Sequence, residues 1–194
     1  MSRYNWRNRV PQRISIDKLT DRQQHLLMHS DHFCILPWIH IHAWPDGKAF
    51  PCCAGEDAYP VGNAKQQSLG EIWNDAPQRE LRQRMLADQP SPECVRCREQ
   101  EAAGFSSMRN NMNKNFGHYI NLVDNTLEDG TVPDMVLYYW DVRFSNICNL
   151  KCRSCGGIFS SRWYDDDVRL NWNKPLRPRV MFAGRTERSE EHTS

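Results

Sequence analysis

Positions 1–32 are mostly polar, and apolar residues return at helical spacing only where Thr20 can cap a short helix through Leu26, Leu27 and Met28. The texture changes at Phe33. Ile35, Trp38, Ile39 and Ile41 predict an extended segment, Pro45-Asp46-Gly47 a turn, and Ala49-Phe50 a return strand running into Cys52 and Cys53. The expectation is a β-hairpin with one cysteine before it and another at its far end. Gly62-Asn63 reads as the start of a loop. Ser68-Leu69-Gly70-Glu71 has the form of a capping box, with Leu69, Ile72 and Trp73 as the buried face of the helix it opens. A second helix follows Pro77, with Leu81, Met85 and Leu86 inward and Arg79, Arg82 and Arg84 mostly outward. Pro90 and Pro92 stop it and present Cys94 and Cys97. A polar helix is predicted over 98–116, interrupted near Gly104.

Gly130 and Pro133 mark a boundary. Beyond it, residues 136–144 predict a strand, with Val136, Tyr138, Trp140, Val142 and Phe144 on one face and Leu137, Tyr139, Asp141 and Arg143 on the other. A helix over 159–170 and a strand over 179–183 complete a βαβ pattern. Trp38, Trp44 and Trp73 are read as core. His40 and His42 share a strand face and are read as polar surface, although such a pair can bind metal or relay protons. Asp165-Asp166-Asp167 is read as a solvated helix face, and Asp141 with Arg143 either as substrate-facing groups or as a structural ion pair.

Composition narrows the function. The 194 residues carry 25 Lys and Arg against 24 Asp and Glu, a balance without the footprint of a nucleic-acid binder. Five of the basic residues crowd positions 3–18 around Trp6, a solvated arm. No apolar run reaches the ~20 residues of a membrane span, and the N-terminus lacks the apolar core of a secretory signal. A cytoplasmic setting is expected. There, eight cysteines point to metal or catalysis rather than to disulfides.

Their spacing says more. Cys148, Cys152 and Cys155 form CxxxCxxC directly after an apolar segment. Three thiolates on one loop can hold three irons of a 4Fe–4S cube and leave the fourth iron open to outside chemistry, whereas ordinary electron-transfer clusters have four cysteine ligands. Zinc is the alternative. This segment resembles the radical SAM signature. The resemblance implies that the open iron chelates S-adenosyl-L-methionine, whose reductive cleavage releases a radical that abstracts hydrogen. It implies a partial (β/α) barrel, a reductant such as flavodoxin or ferredoxin, and an unknown substrate, either a peptide or a small molecule. Ser154 departs from the family, which places an aromatic residue before the last cysteine. Gly184, at the end of the second predicted strand, matches the first glycine of the family's cosubstrate-binding motif, but Arg185-Thr186-Glu187 does not continue it. Residues 188–194 are expected to be a non-native tail. The core over 135–187 is then incomplete, and this chain is expected to be inactive although its parent is an enzyme.

Cys34 and Cys52 are separated by seventeen residues that read as the hairpin, and Cys94 with Cys97 is a CxxC pair at a helix end. Two such pairs can converge on one tetrahedral or cubane site. With Asp46-Gly47, Pro51-Cys52, Gly62-Asn63 and Ile72-Trp73-Asn74, residues 33–100 resemble the twitch/SPASM auxiliary-cluster domain. That resemblance implies a second, fully protein-ligated 4Fe–4S cluster on Cys34, Cys52, Cys94 and Cys97. Cys53 could replace Cys52, but strand alternation favours Cys52 and leaves Cys53 a buried spectator. The family's usual order places the auxiliary domain after the barrel; here it comes first. The expected class is α+β: a polar arm over 1–32, a hairpin-plus-helices auxiliary domain over 33–118, a linker over 119–134, and the first βαβ unit of a partial barrel. A non-catalytic iron–sulfur electron-transfer protein and a zinc-stabilised binding module are the alternatives.

Overall fold

The computed structural model describes residues 9–141, 143, 145–170 and 179–181. Thr20 caps the first helix, α1 (Asp21–Gln24), through a reciprocal box: Gln23 N donates to Thr20 Oγ1 at 3.2 Å, and Thr20 N donates to Gln23 Oε1 at 3.1 Å. The helix runs on into a π turn (His25–His29) that buries Leu26 and Leu27.

The segment after Phe33 is not extended as expected. Leu36–Trp38 is a 3₁₀ turn with Pro37 inside it. Phe33, Ile35, Leu36, Trp38 and Ile39 are all buried. A run enclosed on every side has no need of two faces, and the fixed φ of proline suits a helical first turn. The Asn113 side chain, reaching in from α5 (Met108–Phe116), holds this segment at both ends. Its Oδ1 accepts from Ile35 N at 2.8 Å, and its Nδ2 donates to Phe33 O at 2.9 Å.

The hairpin forms as predicted from β1 (His42–Ala43) and β2 (Lys48–Phe50), antiparallel with His42 opposite Phe50. Gly47 makes the turn at φ +94°, a conformation that glycine adopts without steric cost. Gly62-Asn63 is not a loop but a third strand, β3 (Gly62–Asn63), paired with β2. It seats there because Gly62 has no side chain: a Cβ would lie 2.8 Å from Ile72 Cγ1.

The Ser68–Glu71 box opens α2 (Leu69–Trp73), which buries Ile72 and Trp73. Leu69 is 38% exposed, contrary to expectation, because a five-residue helix covers only the face it presents to the sheet. Helix α3 (Ala76–Leu86) buries Leu81 and Met85, with Leu86 packed at the margin. Arg82, predicted outward, is completely buried. Its Nε donates to Pro37 O at 3.0 Å, and its NH1 donates to Asn74 Oδ1 at 3.0 Å and Gly130 O at 3.2 Å. The guanidinium also lies 4.6 Å over the Trp73 ring. Burial pushes its pKa down to about 9. The polar stretch after Cys97 divides as predicted into α4 (Val95–Ala102) and α5, with Gly104 at φ +85° between them. A 3₁₀ stretch (Gly117–Asn125) then returns Ile120 and Val123 to the core, which draws on residues from Leu19 to Val132.

No strand forms over 136–141. Tyr138 N and Tyr139 N both approach the single carbonyl of Ile39, at 3.0 and 3.3 Å, in place of a ladder. The expected alternation survives without it over 137–141, where Tyr138 and Trp140 are exposed and Leu137, Tyr139 and Asp141 half-buried, but Val136, expected on the face of Tyr138, is half-buried as well. The later helix begins after the predicted start, as a 3₁₀ turn (Ser161–Trp163) continuing into α6 (Tyr164–Leu170). Residues 179–181 form no strand, and Val142, Phe144, Phe182 and Ala183 lie outside the described residues, as does Gly184. Among the described residues the architecture is α+β, with one three-stranded antiparallel sheet. None of their helices is long and apolar enough to cross a membrane.

Candidate metal centre

Three separate pieces of chain deliver Cys34, Cys52 and the pair Cys94 and Cys97. Cys34 sits between the two backbone groups that Asn113 clamps. Cys52 follows β2 in a turn closed by Gly55 N donating to Cys52 O at 3.0 Å. Cys94 ends the 3₁₀ turn Pro92–Cys94, and Cys97 lies in the first turn of α4. A backbone bond from Glu56 N to Glu93 O, 3.0 Å, ties the Cys52 turn against the Cys94 turn. Arg84 fixes the latter from α3 through Glu93 at 2.8 Å and Ser91 at 3.3 Å.

Electrostatically the four are one group. Every pair among the four interacts: Cys52 and Cys97 raise Cys34, Cys97 raises Cys52, and Cys34, Cys52 and Cys97 all raise Cys94. Burial is the largest influence on every one. It pushes Cys52 up to about 12 and raises Cys34, Cys94 and Cys97 as well. Opposing it, N–H groups of Leu36, of Ala54 and Gly55, and of Arg109 donate to the sulfurs of Cys34, Cys52 and Cys97 respectively. The Arg109 guanidinium supplies positive charge beside Cys34 and Cys97 while pairing with Glu101 and donating to Ser30 O and Phe33 O.

All eight cysteines are free thiols. Four desolvated thiols in one pocket are stable as neutral groups, but they repel once ionised. A metal group reverses the sign by binding all four as thiolates, and the N–H donors already aimed at three sulfurs favour that charged form. The donor set therefore fits a thiolate-ligated metal group. Among the described residues no three His, Cys, Asp or Glu side chains are gathered closely enough for a single ion.

Cys53 is half-buried rather than buried, and it couples to the quartet by raising Cys52 and being raised by Cys97. Burial and Asp141 raise it more strongly, and Arg143 lowers it. Those two residues form an ion pair, Arg143 Nε to Asp141 Oδ1 at 2.9 Å and NH2 to Oδ2 at 3.1 Å. The Arg143 guanidinium lies 4.8 Å over Trp44 and 5.1 Å over Phe159, so it staples the hairpin to the loop that follows the cysteine triplet. Trp44 is half-buried in this staple rather than core; Trp38 and Trp73 are core as expected.

The histidines beneath it are not polar surface. His40 and His42 are both completely buried. His40 Nδ1 lies 2.9 Å from Tyr139 O, and His42 Nδ1 approaches Asp141 Oδ2 at 3.1 Å, off the hydrogen-bond axis. Burial lowers both pKa values, that of His42 to about 4. The stretch through Tyr139 and Asp141 packs on them, which strand alternation alone does not reveal.

Cys148, Cys152 and Cys155 lie on one surface loop, Cys152 exposed and the others half-buried. Leu150 N donates to Cys148 Sγ at 3.4 Å, and Cys155 N donates to Cys152 O at 3.0 Å. The loop is pinned by Ser160 Oγ to Leu150 O, Trp163 Nε1 to Cys152 O, and Gly157 N to Asp167 Oδ2. Asp167 is thus buried, not solvated as the acidic run suggested, and Asp166 and Asp165 pair with Lys151 and Arg179. Arg109 and Asn113, which hold the Cys34 segment, went unrecognised in the sequence. The only signal was two polar residues four apart on a helix.

Residues 34–98, about a third of the chain and containing all four cysteines of the quartet, match the SPASM iron-sulfur cluster-binding domain. Domains of this kind are associated with radical SAM enzymes. No curated protein and no solved structure matches the chain.

Proposed function

We propose that Cys34, Cys52, Cys94 and Cys97 hold an auxiliary 4Fe–4S cluster in a radical SAM enzyme whose catalytic 4Fe–4S cluster is carried by Cys148, Cys152 and Cys155. The observation that carries it is the convergence of four desolvated thiols within the segment similar to an iron–sulfur domain. When bound, such clusters supply one-electron chemistry, and the triplet loop leaves an iron free for S-adenosyl-L-methionine. The chain's own part is to exclude water around the quartet, to stabilise thiolate charge with the N–H groups and Arg109, and to expose the triplet. Cytoplasmic location, a flavodoxin- or ferredoxin-like reductant and a peptide or small-molecule substrate belong to the same proposal.

Anaerobic reconstitution of the full chain tests it. About eight irons per chain, with broad absorption near ~400 nm, are expected. Cys94→Ser should remove about half the iron, while Cys53→Ala should retain it. Colourless protein that takes up one zinc instead would overturn the auxiliary-cluster assignment. Retention of all iron after Cys152→Ser would overturn the assignment of the triplet.

A further inference from the structure

A second cavity, of about 290 Å³, opens beside α4 and is lined by Arg9, Asp31, His32, Arg98, Glu101 and Ala102. Its charges do not cancel locally. Asp31 is taken by Arg9, NH2 to Oδ1 at 3.1 Å, and Arg9 is completed by Ser30 O at 2.8 Å. Glu101 is turned away to Arg109 and Ser107. Arg98 is left with no carboxylate among the described residues, and its buried Nε meets no acceptor there. The buried Nδ1 of His32 is in the same condition. Asp88 holds the His32 segment in place by accepting from the N–H groups of Asp31 and His32, both at 3.1 Å.

Arg98 and His32 both line the cavity, and each keeps one buried nitrogen without a protein partner. A guanidinium with an open edge and an imidazole nitrogen together match an oxyanion, which the fork of arginine grips through paired hydrogen bonds. The volume sits at the lower bound for small-molecule sites, so the ligand is a small acid rather than a chain segment. We propose that this cavity is a binding site for a small carboxylate- or phosphate-bearing molecule, with Arg98 as its principal charge partner and His32 as a second donor. The site lies outside the thiol pocket, and the inference holds whichever metal the thiols take.

The test is thermal unfolding of the full, metal-loaded chain against rising inorganic phosphate or acetate, with chloride holding ionic strength constant. A saturable rise in Tm is expected with at least one of the two probes, and which one raises it identifies the oxyanion. Arg98→Gln should weaken the apparent affinity about tenfold or more. Ala102→Trp, which fills the cavity without removing a charge, should abolish the rise. Arg96→Gln, on the same helix but paired with Glu56 outside the cavity, should preserve it. No saturable rise with either probe, a rise unchanged in Arg98→Gln, or an equal loss in Arg96→Gln would each overturn the assignment.

Discussion

Arg82 shows how one side chain can organise a core. Three elements end on its guanidinium: the 3₁₀ turn through Pro37, the C-terminus of α2 through Asn74, and the loop at Gly130. Arg82→Ala removes three hydrogen bonds, although Pro37 O keeps Gln78 and Asn74 Oδ1 keeps Val132 N as donors, and it opens space beside Trp73. At roughly 1 kcal/mol for each lost hydrogen bond the loss is about 3 kcal/mol, measurable as a lower urea midpoint at unchanged m-value. Arg82→Lys keeps the charge but cannot reach all three acceptors, so most of the loss should persist. Full recovery in Arg82→Lys would show that charge rather than geometry is what matters there. Arginine spacing on α3 did not reveal this, because a helical wheel ranks arginine as outward and knows nothing of acceptors more than forty residues away.

The elements are short, and their ends carry unusual weight. The cap at Thr20 and the capping box at Ser68 were legible because cap and partner lie three residues apart, whereas the return bond that makes Thr20 a box came only with the structure. The glycines divide according to what surrounds them. Gly104 and Gly130 have nearly the same φ, +85° and +84°, but a Cβ at Gly104 meets nothing within 4 Å, whereas at Gly130 it would overlap the Arg79 carbonyl. Gly104→Ala should therefore cost about 1 kcal/mol, the strain of the left-handed conformation alone. Gly130→Ala should cost clearly more, with the loop displaced and the Arg82 bond to its carbonyl weakened. Equal losses in chemical denaturation would refute the steric distinction. The strands are at the other extreme. β1 and β3 have two residues each, and residues 137–141 keep strand alternation without a neighbour to pair with, so periodicity overstated that stretch and missed β3.

Across the whole molecule, the two cysteine groups meet at a junction made by His40, His42, Tyr139, Asp141 and Arg143. Its stability should depend on pH. His42 titrates near 6.5 when unfolded and near 4 in the native state, where burial keeps it neutral. Between those values the unfolded chain binds a proton that the native one does not, so stability is full above about 6.5 and falls as pH drops toward 4. His40, also lowered by burial, acts in the same direction. Urea titrations at stepped pH should show this decline, and His42→Gln should make it shallower. An identical pH slope in the variant would exclude His42 as a source. Since Asp141 pairs with Arg143, and Arg143 staples Trp44 to Phe159, the same acidification should loosen the hold on the triplet loop.

The residue order alone determined the spacing of both cysteine groups, the caps and the hairpin, because each depends on atoms a few positions apart along the chain. Burial of the polar groups was decided only by tertiary packing. Arg82, His40 and Asp167 lie inside because carbonyls and N–H groups brought together by the fold replace part of the water they give up, and His42 because the fold packs Asp141 against it. Gathering the quartet into one desolvated pocket needed the same long-range closure.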